Sequence, residues 1–139
     1  MYIYLTSGGS KSFFPENTSS SFRIRMPRPL FFYESYEISL IQLSMPSLQR
    51  DYSPKYIDIY SSFCKQSVVN GAEKQILNRT FLSEIEAPSC IRFENPHYVP
   101  TNAEQLHVLD IDLLDDKGEK PSFQDGEVYC TLHLRKCQD

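Results

Sequence analysis

The chain has 139 residues, which is enough for one domain with a buried core and too few for two. Its nine Tyr and nine Phe favour strands, because aromatic rings fit a half-buried pleated surface, and its nine prolines exclude long helices. Five Lys and Arg against three Asp and Glu give residues 1–50 a net charge of +2, and nine against fifteen give residues 51–139 a net charge of −6.

Two classes of protein are disfavoured at once. No window approaches the ~20 consecutive apolar residues that a membrane-spanning helix needs. The first residues, MYIYL, lack the basic segment of a signal peptide. We therefore expect a protein that is neither inserted in a membrane nor secreted, and four cysteines that are mostly buried free thiols of a reducing compartment.

The first half of the chain predicts three strands. MYIYL is followed by the Ser- and Gly-rich loop TSGGSKSFFPENTSSS, and SFRIRM then alternates apolar residues with arginines, as a half-buried strand does. The two prolines of PRPLFFY predict an edge or a turn. The clearest strand is YEISLIQLSM, in which the apolar residues change face near Leu40 and Ile41, and this indicates a bulge or burial on both sides.

The second half continues in the same manner. KYIDIYSSFC and SCIRFE predict strands, and Asn70-Gly71 is a strong hairpin signal. AEKQIL is compatible with one or two helical turns. The last two strands are QLHVLDIDLL and EVYCTLHLR. The whole pattern predicts an all-β fold, a single jelly-roll-like β-sandwich of about eight antiparallel strands that spans residues 1–139.

Four carboxylates near the end of the chain raise the question of a metal site. Asp110 and Asp112 alternate with apolar residues and should lie on the solvent side of a strand, while Asp115 and Asp116 fall in a turn. The spacing does not match a calcium-binding EF-hand loop. We expect the tip of a hairpin formed by the last two strands, and no metal.

Other catalytic or metal-binding patterns are missing from the sequence. Cys130 and His133 have opposite strand parity, and no close pair of zinc ligands exists. There is no nucleophile elbow, phosphate-binding loop or dinucleotide fingerprint. We expect no enzyme, no cofactor and no small-molecule substrate.

The basic residues Arg23, Arg25 and Arg28 allow two interpretations. Three arginines make a small polyanion-binding patch, or they pair with the acidic half of a neighbouring copy. We favour the second interpretation and expect no nucleic-acid binding. The aromatic residues at positions 13–14 and 31–33 similarly fit either surface anchors for a partner or an ordinary core.

The first third of the chain contains an ordered set of motifs. Residues 14–18 read F-P-E-N-T, Pro29-Leu30 ends a strand, and Y-E-I at residues 36–38 opens a strand that ends at Pro46. In this order the motifs resemble the opening of the minor capsid (penton-type) proteins of Polinton/Maverick elements and the related adintoviruses.

The end of the chain is similar to the closing part of the same family. Y-V-P at residues 98–100 precedes I-D-L-L-D-D-K-G at residues 111–118 and a final Leu-His strand. The chain resembles a shortened form, because family members have more sequence between the two segments. It also has Tyr36 where the family often has Trp, and Leu134 where the family has an aromatic residue.

The resemblance implies a jelly roll that forms pentamers at capsid vertices. We therefore expect a structural virion protein made in the host cell, with a homo-oligomer and the major capsid protein of the same element as partners. The alternative is a monomeric β-sandwich that binds a carbohydrate or a host protein through loops Ser7–Ser20 and Asp115–Gly126, in a viral or host-domesticated setting. The expected subunit-interface residues are Phe14, Arg23, Arg25, Arg28, Phe31, Tyr33, Asp110 and Asp112.

Overall fold

The computed structural model describes residues 1–82, 89–102 and 104–137. Within these ranges the chain forms strands and no helix, so the predicted all-β class is confirmed. The strands are β1 (Tyr2–Thr6), β2 (Ser21–Phe31), β3 (Tyr36–Met45), β4 (Tyr56–Tyr60), β5 (Ser67–Val69), β6 (Ala72–Lys74), β7 (Ile76–Phe81), β8 (Ser89–Arg92), β9 (Val99–Pro100), β10 (Gln105–Asp115) and β11 (Tyr129–Lys136).

Two antiparallel sheets make up the sandwich. One has the order β1-β11-β3-β8, with β9 also paired to β3, and the other has the order β2-β10-β4-β7. Without the short β5, β6 and β9, eight strands remain, and the first pairs with the last, the second with the seventh, the third with the sixth and the fourth with the fifth. This nested pairing is the jelly-roll arrangement that the sequence predicts.

The core lies between the inner faces of the two sheets. The predicted inward set of β10, which is Leu109, Ile111 and Leu113, is completely buried. The predicted irregularity in β3 is confirmed as a bulge: Gln42 pairs with Thr131 and Leu40 with Leu132, which leaves Ile41 without a partner in β11. An extra residue reverses the side-chain alternation of a strand, which explains the change of face.

The predicted final hairpin is wrong. β10 pairs with β2 and β4, whereas β11 pairs with β1 and β3, so residues 116–128 cross from one sheet to the other. Alternation indicates which side chains point inward, but it does not choose the neighbouring strand. Each of the two strands completes a different half of the core instead of pairing with its neighbour in sequence.

The region after β5 corrects another prediction. AEKQIL is not helical, because Ala72–Lys74 pairs with β5 and Ile76–Phe81 pairs with β4. The hairpin signal at Asn70 and Gly71 is confirmed, since both residues have positive φ angles, of 51° and 79°. A two-residue turn of this type needs positive φ at both positions.

Cysteine burial is mixed. Cys64 and Cys130 are buried as expected, Cys137 is half-buried, and Cys90 is exposed, which contradicts the expectation for that residue. Burial raises the pKa of the Cys64 and Cys130 thiols to about 12. These two thiols therefore behave as small apolar core groups.

The connections between strands gather at the two ends of the sandwich. At one end, named the acidic end, residues 46–55 and 116–128 are joined by the hydrogen bond from Gln49 N to Ser122 O (2.9 Å). At the other, named the aromatic end, residues 32–35 lie near residues 99–102 and Glu104. There Thr101 N donates to Tyr36 O (3.0 Å) and Phe32 N to Glu104 O (2.7 Å).

Candidate functional site

The outer side of the five-stranded sheet carries exposed tyrosines. The strand register places Tyr2 opposite His133, Tyr4 opposite Thr131 and Thr6 opposite Tyr129. Because side chains alternate along a strand and Ile3, Leu5 and Cys130 point into the core, these partners point outward. Exposure is 58% for Tyr2, 76% for Tyr4 and 52% for Tyr129. We name this surface, formed by Tyr2, Tyr4, Tyr129 and His133, the tyrosine face.

Polar and aromatic contacts hold one side of the tyrosine face in place. Tyr98 Oη and His133 Nδ1 lie 2.7 Å apart, and the His133 ring lies 4.5 Å from the ring of Tyr2, centre to centre. The Arg135 guanidinium lies 3.4 Å from the ring centre of Tyr98, and its Nε donates to Glu37 Oε1 at 2.7 Å. These contacts order the side chains before any partner arrives, which lowers the entropic cost of binding.

The charge of His133 follows from its surroundings. Burial, the N-terminal charge and Arg135 hold the pKa of the imidazole below its usual value of 6.5. The ring is therefore neutral at pH 7. Because Arg135 is paired to Glu37, the tyrosine face presents mainly aromatic rings and hydrogen-bonding groups.

The outer side of the four-stranded sheet differs in chemistry. At its β2 edge, Arg23 lies opposite Asp110 and Arg25 opposite Val108. The Arg25 guanidinium lies 4.6 Å from the ring centre of Phe13, which is itself exposed. We name this surface, formed by Phe13, Arg23, Arg25, Val108 and Asp110, the arginine face.

The carboxylates beside the arginines accept hydrogen bonds from serine side chains. Asp110 accepts hydrogen bonds from the backbone N (3.1 Å) and the hydroxyl of Ser62, and Asp112 accepts one from the hydroxyl of Ser21. Among the described residues, neither Arg23 nor Arg25 forms an ion pair. The two guanidinium groups are thus exposed and open to a partner.

The eight residues predicted from sequence do not form one site. Phe14 is half-buried, and its neighbour Phe13 is the exposed member of the pair. Four of the eight lie together on the outer side of the four-stranded sheet, and these are Arg23, Arg25, Asp110 and Asp112. One more, Arg28, is exposed further along β2. The last two, Phe31 and Tyr33, are at the aromatic end.

The aromatic end contains an open cleft. Three adjoining hollows of about 680, 590 and 340 Å³ share Phe32 in their walls. Tyr33 is 93% exposed beside them, and Lys65 and Glu104 contribute opposite charges. The loops expected to bind a ligand, Ser7–Ser20 and Asp115–Gly126, meet at the opposite end around a hollow of only about 90 Å³.

One buried charge pair was missed by the sequence reasoning. Asp58 lies on the outer side of the four-stranded sheet with its side chain almost wholly covered, and it accepts hydrogen bonds from Arg79 Nε (2.6 Å) and Nη2 (3.0 Å). Tyr60 donates a third bond to it (3.2 Å). Burial and the Asp58 carboxylate raise the pKa of Tyr60 to about 12. The available signal was the parity of Tyr56, Asp58 and Tyr60 in KYIDIY, which places three polar groups on one side.

Metal-binding groups and a possible serine nucleophile are the remaining chemical features of the described residues. No set of three or more His, Cys, Asp or Glu side chains among them is arranged to hold a metal ion. Ser39 lies opposite His133 in the strand register, but it is fully buried and its hydroxyl has no hydrogen-bond partner in the described part of the chain. A nucleophile must reach its substrate, so Ser39 in this position is a structural residue.

Comparisons with known proteins give no identity. No protein-family model matches the chain, and no curated protein matches it at a significant level. In the ranges that the structure describes, no helix has the length and apolarity needed to cross a membrane.

Proposed function

We propose that this chain is a structural capsid subunit that assembles head to tail into a ring, with a pentamer at a capsid vertex as the expected form. The observation that carries the proposal is the nested pairing of eight strands, the jelly-roll arrangement used by viral capsid domains. The motifs at residues 14–18 and 111–118, which resemble those of Polinton-type minor capsid proteins, support it.

A shared fold does not by itself imply a shared function, so the ring needs its own support. A head-to-tail contact joins two different surfaces of the same molecule, and it closes into a ring when the rotation between subunits fits. The tyrosine face and the arginine face are such surfaces, because they lie on the outer sides of opposite sheets and differ in chemistry. A subunit with two unlike faces is suited to a heterologous contact.

The remaining partner expected for a vertex protein is the major capsid protein of the same element. A ring that uses the two sheet faces leaves the acidic end and the aromatic end free, and either end is then available for that neighbour. The virion is the expected location, after synthesis in the host cell.

The direct test is the mass of the purified chain in solution, measured by light scattering over a wide range of concentrations. We expect a discrete species of about five subunits, each of 16.2 kDa. A single mass that does not grow with concentration indicates a closed ring, whereas continuous growth indicates an open filament. A monomer at every concentration contradicts the ring.

The aromatic-end cleft favours a second candidate function, a binding module. Ligand sites are concave and place a few polar groups beside aromatic side chains, and the mainly polar wall of the cleft combines the rings of Phe32 and Tyr36 with Lys65 and Glu104. The test is binding to an array of glycans and to host-cell proteins, by the wild type and by Tyr33→Ala. Tyr4→Ala is the control. If binding is lost in Tyr33→Ala and kept in Tyr4→Ala, the result supports this candidate. If the wild type binds nothing on the array, the result contradicts it.

A further inference from the structure

We infer that the tyrosine face of one copy docks on the arginine face of the next, so that Arg25 of one subunit stacks on the exposed Tyr4 of its neighbour. The inference rests on the proposed ring and specifies its contact. The occupant of the tyrosine face is thus a second copy of this chain.

Stacking of arginine on aromatic rings is already a recurrent contact within the chain. Arg25 lies over Phe13, Arg79 over Tyr56 and Arg135 over Tyr98, at 4.6, 3.9 and 3.4 Å from the ring centres. A guanidinium placed over an aromatic ring is attracted by the negative charge of the ring face, and the attraction strengthens when water is excluded. Tyr4 has an exposed ring, and Arg25 remains exposed beside Phe13, so the ring of a neighbouring copy can stack on the free side of the guanidinium.

Charge favours the same pairing. Arg23 and Arg25 present two exposed guanidinium groups along the β2 edge, because Asp110 and Asp112 are held by serine side chains and, among the described residues, form no ion pair with them. On the tyrosine face, the exposed carboxylate of Glu127 lies 3.5 Å from the Tyr129 hydroxyl. A negative group beside exposed rings is complementary to exposed guanidinium groups, and such complementarity selects the partner and the orientation.

The placement of the two faces makes the contact repeatable. They lie on opposite sides of the sandwich, so a copy docked through its arginine face still presents its tyrosine face to a third copy. Tyrosine and arginine are also the residue types most often found at the energetic centre of interfaces. A contact between two tyrosine faces, in contrast, would end at a dimer.

The experiment uses two variants of the full chain, each with one defective face. Tyr4→Glu replaces the exposed ring by a charge, and Arg25→Glu reverses the charge of the stacking guanidinium. Both side chains are exposed, so neither substitution opens the core. We expect each variant alone to need at least about tenfold higher concentration than the wild type to assemble, as the loss of one central contact predicts.

The mixture of the two variants is the decisive sample. Tyr4→Glu keeps an intact arginine face and Arg25→Glu keeps an intact tyrosine face, so together they can form one productive contact and no more. At a concentration where the wild type is assembled, we expect light scattering to show a one-to-one heterodimer in the mixture and monomers in the separate samples. Thermal unfolding of both variants checks that they are folded.

Two exposed positions away from the proposed contact supply matched controls. Phe81→Glu changes the outer side of the four-stranded sheet at its far edge, and Arg92→Glu changes a strand at the far edge of the five-stranded sheet. Both controls should assemble like the wild type.

The possible failures are distinguishable. If the wild type assembles but Tyr4→Glu and Arg25→Glu assemble equally well, or if their mixture remains monomeric, the face pairing is wrong and the ring proposal stands. Assembly lost in Tyr4→Glu alone would indicate a contact between two tyrosine faces, which also overturns the inference. A wild type that is monomeric at all concentrations overturns both.

Discussion

Asn17 pairs with the backbone of Arg23 as a neighbouring strand would. Its Nδ2 donates to Arg23 O at 2.8 Å, and its Oδ1 accepts from Arg23 N at 3.0 Å. The backbone N–H of Arg25 is the next one along β2 that points away from the sheet, and it donates to Ser10 Oγ at 3.1 Å. β2 is an edge strand, and an uncovered edge invites pairing with other chains. The F-P-E-N-T motif thus positions a side chain that closes this edge.

Asn17→Ala removes both of these hydrogen bonds from a buried position. We expect the free energy of unfolding to fall by about 1–3 kcal/mol, because the backbone groups of Arg23 lose their partners. Urea denaturation measures the change, with Glu16→Ala, an exposed change in the same loop, as the control. Equal denaturation midpoints for Asn17→Ala and Glu16→Ala would show that water replaces the two hydrogen bonds to the Arg23 backbone without a loss of stability.

Asp115 organises the acidic end and predicts a loss of stability in acid. It accepts hydrogen bonds from Tyr52 Oη (2.6 Å) and from the backbone N of Lys117 and Glu119 (2.9 Å each). Burial raises the pKa of the carboxyl, but the bonds from Tyr52 and the two backbone groups outweigh burial and lower the pKa below its usual value.

A lowered pKa in the folded state means that ionised Asp115 stabilises the fold above pH 4, and that this contribution disappears as the pH falls through the folded-state pKa. We expect the stability difference between pH 7 and pH 2.5 to be smaller for Asp115→Asn than for the wild type in chemical denaturation. Tyr52→Phe should cost about 1 kcal/mol at pH 7. An identical pH dependence in wild type and Asp115→Asn would assign the acid loss to other groups.

Arg79→Ala should be among the most destabilising changes outside the core. It leaves the Asp58 carboxylate buried without its cation, which costs about 3–5 kcal/mol. The double variant Asp58→Leu, Arg79→Leu removes both charges and should be clearly more stable than Arg79→Ala in thermal or urea denaturation. If the double variant is the less stable of the two, the buried carboxylate left without its cation is not what destabilises Arg79→Ala.

Thiol reactivity should follow burial. An aromatic disulfide reagent added to the folded protein should modify exposed Cys90 fastest and half-buried Cys137 more slowly. Cys64 and Cys130 should react only after unfolding, because burial excludes the reagent and raises the pKa of both thiols to about 12. Cys90→Ser should abolish the fast phase, and a fast phase that persists in this variant would contradict the assignment.

Much of the fold follows from local pattern. The alternation in residues 105–115 predicts the inward side chains Leu109, Ile111 and Leu113, and Asn70-Gly71 predicts its own turn, because both depend on residues that are adjacent in the chain. The bulge at Ile41 is equally local, since it reverses the alternation within one strand. The strand count and these periodicities were enough to predict a jelly roll.

The candidate surfaces are less accessible to sequence reasoning. The arginines of the arginine face were predicted, because they alternate with apolar residues in SFRIRM. The tyrosine face was not, because Tyr4 and Tyr129 stand at opposite ends of the chain and become neighbours only when β1 pairs with β11. The sequence could not predict which of Phe13 and Phe14 is more exposed, because the two residues lie in a loop, where the conformation of the turn and not the alternation of a strand determines exposure.

The sequence by itself determined most of the extended segments, the turn at Asn70-Gly71 and the apolar side of β10. Only the tertiary structure decided that β10 and β11 belong to different sheets, that Asp58 meets Arg79 across 21 positions, and that Asn17 closes an edge. The physical reason is that apolar burial is not directional. Alternation of apolar residues indicates that one side of a strand must be buried. The packing of all eight strands together determines which strands bury it.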